Sequence, residues 1–244
     1  MLKWLLGIGL IALIGIGAAG YYLFANLDAL VARAIEQYGS EAAGVSVRVD
    51  RVELDLEAGR ASIYDLRVAN PPGFEGAEAF SLGEITVDID LESLREQNPI
   101  VLDEIRIEAP AVFYELMASG VSNLDVIKKN ASSGGGGNTD EGADSAPGPR
   151  LRIRKLRFAE GHVEADTRAI GGNELEATLG TAELKDVGGS KGATGAEIGA
   201  VVVKEIGRQT AIAIARSEAG ALLKDHIGEE GAKAVEGLLN RFGL

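Results

Sequence analysis

The chain has 244 residues, with 24 Lys+Arg against 37 Asp+Glu and a net charge of −13. So acidic a surface repels phosphate backbones and argues against a nucleic-acid partner. The absence of cysteine excludes disulfides, thiolate catalysis and Cys-ligated zinc.

From Trp4 to Ala25 no residue is charged. As a helix this run would span roughly 33 Å, enough for the hydrocarbon core of a bilayer and about twice a signal-peptide core. Lys3 precedes it, and Tyr21-Tyr22 stand near its far end, where interfacial aromatics sit. Residues 4–25 are expected to be an uncleaved single-pass anchor, with the N-terminus in the cytoplasm and the bulk of the chain outside it. Leu27, Leu30, Val31, Ala34 and Ile35 then recur at helical spacing until Tyr38-Gly39.

Next the period changes to two. Val45, Val47 and Val49 alternate with polar residues, the register slips at Asp50-Arg51, and Val52, Leu54 and Leu56 take over. Ala58-Gly59 closes a hairpin into residues 61–70. Asn70-Pro71-Pro72-Gly73-Phe74 follows, and prolines there must stop strand pairing. Asn70 is suited to bonding nearby backbone and Phe74 to anchoring the loop on the sheet. Ile85, Val87, Ile89 and Leu91 resume the alternation, and residues 98–116 read as a strand pair pivoting on Ala109-Pro110. Residues 122–130, SNLDVIKKN, read as a short helix capped by Ser122 or Asn123.

Residues 130–149 offer almost no apolar side chain and read as a flexible linker, and deleting residues 131–148 is expected to leave the thermal midpoint nearly unchanged. Strand patterning returns beyond it. Residues 103–112, DEIRIEAPAV, and 154–163, RKLRFAEGHV, share one plan: two alternating apolar residues, a turn at Ala-Pro or Glu-Gly, then Val. Two such hairpins suggest a meander continued across the linker. From Ala193 the strand signals vanish, and Ile198, Val202 and Ile206, then Leu222 to Phe242, follow a helical pattern.

Chemistry-bearing groups are few. His162 and His226 lie in unrelated contexts without metal-ligand spacing, and no serine sits in a nucleophile elbow. Residues 188–195, GGSKGATG, lack the phosphate-loop spacing. No enzyme, cofactor or metal is expected.

The order of features resembles the AsmA-like proteins of the bacterial envelope. The resemblance covers residues 1 to about 130, and Asn70-Pro71-Pro72-Gly73-Phe74 and the segment Ile105–Val112 mark it most clearly. It implies an inner-membrane protein projecting into the periplasm, related to chorein-type bridges whose curved sheets hold phospholipid acyl chains. This β portion is far shorter than in a complete bridge. Val47, Val49, Ile85, Val87, Ile89, Ile105 and Ile107 would form an apolar sheet face, which must be covered by protein or by ligand. The resemblance makes them candidate lipid contacts. The alternative is a non-transporting subunit, its sheet closed by the C-terminal helices and packed on a partner or on its own copies.

The expected fold is therefore α+β: an N-terminal transmembrane helix, a curved antiparallel β-meander of repeated hairpins, and C-terminal helices. Its expected parts are an anchor with helical extension (1–39), a β-rich region (40–129), the linker (130–149), a continuation of the sheet (150–190) and a helical region (191–244).

Overall fold

The computed structural model describes residues 26–96, 99–132, 150–170 and 174–216. The expected anchor at 4–25, linker residues 133–149 and the helical pattern beyond 216 lie outside them. Among the described residues no helix is long and apolar enough to cross a membrane.

Helix α1 (Leu27–Ala43) continues past the expected stop at Gly39. It ends where Gly44, at φ +67°, donates its N–H to the Ser40 carbonyl at 2.9 Å. Only a residue tolerant of the left-handed region ends a helix this way cheaply. Ser40 Oγ accepts the Val47 N–H at 2.8 Å and Glu36 accepts the Val49 N–H at 3.1 Å, so the helix is sewn to the first strand.

Among the described residues nine strands form one sheet. β1 (Val47–Arg48) and β2 (Arg51–Asp55) pair with opposite halves of β3 (Arg60–Ala69), and the expected slip at Asp50 falls between them. β3 pairs antiparallel with β4 (Glu78–Ile89), and β4 with β5 (Ile100–Glu115). The short helix α2 (Ser93–Glu96) lies between β4 and β5, and α3 (Asn123–Ser132) follows β5.

Here the expected meander fails. β5 does not turn at Ala109-Pro110 but runs through them for 16 residues. β6 (Leu151–Phe158) and β7 (Gly161–Asp166) lie end to end along its other edge, both parallel to it. Antiparallel pairing returns with β8 (Glu174–Leu179) on β7 and β9 (Ala182–Val187) on β6. The sheet is thus mixed and mostly antiparallel. The sequence repeat is real but means something else: its copies are parallel neighbours in register, Glu104 beside Lys155, Ile107 beside Phe158 and Val112 beside Val163.

A transverse crease explains how a proline sits inside β5. Asp65 on β3 and Ala109 on β5 have φ of +50° and +46°, and the ladder places both opposite Gly83 of β4. A Cβ on Gly83 would stand 3.1 Å from that of Ala109. Apolar positions change parity together across this line. Ala61 and Ile63 give way to Leu66 and Val68, and Ile85 to Leu82 and Phe80. On β5, Ile105 and Ile107 give way to Val112 and Tyr114. All of these side chains except Ala61 belong to one core cluster or, as with Ile63, Leu66 and Ile105, pack against it. An ordinary strand would have sent half of them to solvent. Pro110 lies at the level where β6 has stopped and β7 has yet to begin, so its missing N–H breaks no ladder there. A Cβ on Gly161 would collide with the Pro110 carbonyl oxygen and ring.

The opposite face is charged. Glu104 accepts Lys155 at 2.8 Å and Arg106 at 3.1 Å, and Arg60 pairs with Asp88 at 2.7 Å. On the apolar face α1 packs on β1 and β2, while α4 (Gly195–Arg216) packs on β8 and against α3, with lighter contact to β5 and β7.

Candidate functional site

Two regions hold the residues singled out from the sequence. The first is the apolar face between the hairpin end and the crease. Cross-strand rows run Ile63–Ile85–Ile107–Phe158–Ala182 and Ala61–Val87–Ile105–Leu156–Leu184. Of the seven candidate contacts, Val47, Ile85 and Ile107 are buried, and Val49, Val87, Ile89 and Ile105 are half-buried. Val47 stands apart, beside Val68 at the other end of β3.

The second is the loop of residues 70–77 at the far end of the sheet. Asn70 donates its N–H to the Ala77 carbonyl at 3.1 Å, closing the loop; Pro71 is buried, Pro72 and Gly73 are exposed, and Phe74 is half-buried. Two further residues, Glu115 and Asn123, hold the loop together with Asn70. Glu115, at the end of β5, is buried and accepts the Glu75 N–H at 2.8 Å. Asn123 is fully buried and works with all its polar atoms. Its Nδ2 donates to Asn70 Oδ1 at 2.8 Å and to the Phe113 carbonyl at 2.6 Å. Its Oδ1 accepts N–H groups from Glu115 at 3.1 Å and Leu124 at 2.9 Å. Ser122 is the helix cap, accepting the Asp125 N–H at 3.1 Å while Asp125 accepts that of Ser122 at 3.1 Å.

Beside the loop, Asp166 is buried and held below the usual carboxylate range by its hydrogen bond from the Arg168 guanidinium, which is itself pushed up. Arg168 also reaches Glu174 at 3.2 Å and Glu75 at 3.5 Å. The cluster ties the loops at this end of the sheet together and offers no nucleophile beside a base. Sequence reasoning saw Asn123 only as a cap; its place between two adjacent stops, Asn70 and Glu115, is tertiary information.

Other candidates resolve simply. His162 lies within β7, exposed and 3.5 Å from Glu164; His226 lies outside the described residues. Among the described residues no group of His, Asp and Glu is arranged to hold a metal ion. Residues 188–194 lead into α4 through a capping box: Thr194 accepts the Glu197 N–H at 3.2 Å and Glu197 accepts that of Thr194 at 2.7 Å. That bond from the Thr194 backbone lowers the Glu197 carboxyl. The chain matches no protein-family model and no curated protein.

Proposed function

We propose that this is a membrane-anchored periplasmic protein of AsmA-like type, held in the bacterial inner membrane by residues 4–25. In this reading it handles phospholipid, or maintains the envelope, by seating acyl chains on the apolar face of its sheet. It needs no cofactor and performs no catalysis. The supporting observation is the uneven cover of that face. The described helices pack chiefly on β1, β2 and β8, with lighter contact to β5 and β7, and within the two apolar rows Ile85, Ile107, Leu156 and Phe158 are buried. Ile63, Val87, Ile105 and Leu184 in those rows are only half-buried. An acyl chain laid there would gain about 0.8 kcal/mol for each methylene removed from water.

The second reading, a non-transporting subunit or homo-oligomer, draws on α4. Val203, Ile206, Ala211 and Ile214 are buried on this helix, and so are Glu205, Gln209 and Thr210. A helix covered on so many sides belongs inside a closed core.

Native mass spectrometry of detergent-extracted protein, with lipid extraction from the same sample, separates the two. Bound phospholipid that disappears in Val87→Asp and Ile105→Asp, at unchanged circular dichroism, supports the groove. Those positions are chosen because a charge at Ile107, only 2% exposed, would unfold the sheet. Lipid-free protein running as a defined oligomer sinks the lipid reading and supports the subunit.

A further inference from the structure

Among the described residues the large exposed hydrophobics are Leu30, Tyr38, Leu56, Leu91, Leu94 and Val121. Single exposed apolar side chains such as Tyr38, further along α1, mean nothing, but Leu56, Leu91 and Leu94 gather at one end of the sheet. Leu56 lies in the turn between β2 and β3, at the end of the sheet where β4 stops and β5 starts. Leu91 lies in that β4–β5 connection, against the same turn: the Ile89 N–H donates to Gly59 O at 2.8 Å, and a Cβ on Gly59 would stand 3.0 Å from Leu91 Cγ. Leu94 follows three residues later in α2. Leu30 is on the first turn of α1, whose Leu27 and Asp28 share a cleft with residues 53–57 of β2 and its turn. Val121 lies beyond β5, at the other end of the sheet.

This leucine-bearing end is also where the described chain begins, at Asn26. It follows directly on the uncharged run from Trp4 to Ala25. We propose that Leu56, Leu91 and Leu94 form a rim that rests in the bilayer interface, so that the sheet stands on the membrane by this end and carries the loop of residues 70–77 away from it. Their exposures of 50%, 43% and 40% are the area such a contact would use. Asp55, Glu57, Asp90 and Glu92, against the single cation Arg95, neighbour the leucines in sequence, so the contact is apolar rather than an attraction to anionic headgroups. Added salt should leave it in place. The inference rests on the anchor at 4–25 and is independent of the groove.

The lack of cysteine makes the test clean. Leu56→Cys, Leu91→Cys, Leu94→Cys and Val121→Cys are each introduced alone into the full chain and labelled with an environment-sensitive fluorophore. The labelled proteins are then reconstituted into phosphatidylcholine vesicles, with circular dichroism checking the fold. Labels at 56, 91 and 94 should shift to the blue and lose most of their emission to acyl-brominated lipid, while the label at 121 should do neither. If the protein floats with the vesicles and all four labels stay wet, the rim is wrong and the anchor stands. A blue shift without quenching by brominated lipid also overturns the proposal, because a protein surface then covers the leucines. Protein that does not float refutes the anchor and the rim together.

Discussion

Asn123→Ala tests whether the loop end of the sheet is held by one buried amide. The substitution removes a fully buried side chain and leaves the Glu115 N–H and the Phe113 carbonyl without their partner. An orphaned buried backbone group costs about 1–3 kcal/mol. Two of them, with loss of the bond to Asn70 and a small cavity, give about 3–4 kcal/mol. For a chain of this size that lowers the melting temperature by about 10 °C. Thermal unfolding of the full chain in mild detergent, followed by circular dichroism, measures it. Ser132→Ala is the comparison, because its hydroxyl donates to Lys128 O at 2.8 Å on the surface, and its loss should cost less than about 0.5 kcal/mol. A cost below about 1 kcal/mol for Asn123→Ala would show that water or a shifted loop replaces the amide, and the reasoning would fail.

Three further outcomes are expected. Gly161→Ala should destabilise by about 2–3 kcal/mol because the methyl meets the Pro110 carbonyl, whereas Ala109→Gly should stabilise by about 1 kcal/mol by relieving a left-handed alanine; reversed signs in denaturant titrations would remove the crease from the account. Asp166 is depressed chiefly by the hydrogen bond from Arg168, and Glu104 chiefly by that from Lys155. Folded values below unfolded ones give stability that is complete above the unfolded value of about 4 and lost as pH falls through the folded one. Melting temperature should therefore drop between about pH 5 and 2, and less steeply in Arg168→Ala and Lys155→Ala; parallel curves for wild type and variants would count against those pairs. Deleting residues 131–148 should abolish folding, contrary to the sequence-based expectation. Asn130 donates to Ala43 O near the loop end, whereas Arg150 accepts the Ile100 N–H at the other, about 40 Å away by strand rise. A deletion that leaves the melting temperature intact would contradict the parallel crossover.

Much of the local structure was legible because its causes are local. The period-two alternation marked the strands, and the slip at Asp50 marked the break between β1 and β2. Ala58-Gly59 and Pro71-Pro72-Gly73 marked chain reversals, and SNLD marked a helix start, since caps, prolines and glycines act within a few residues. The repeat at 103–112 and 154–163 was legible too, but the same residues are compatible with two hairpins or with two kinked strands side by side. Only long-range pairing distinguishes them. Tertiary structure chose the second: with Ala109 left-handed and Pro110 beside the gap between β6 and β7, β5 runs straight through a dipeptide that reads as a turn. The same choice made the connection from β5 to β6, of which α3 is the described part, the crossover of a parallel pair. It also brought Asn70, Glu115 and Asn123 to one buried point. The sequence by itself determined which residues are apolar and where the chain can bend; which face they share, and what meets at each bend, was decided by contacts between residues far apart in the chain.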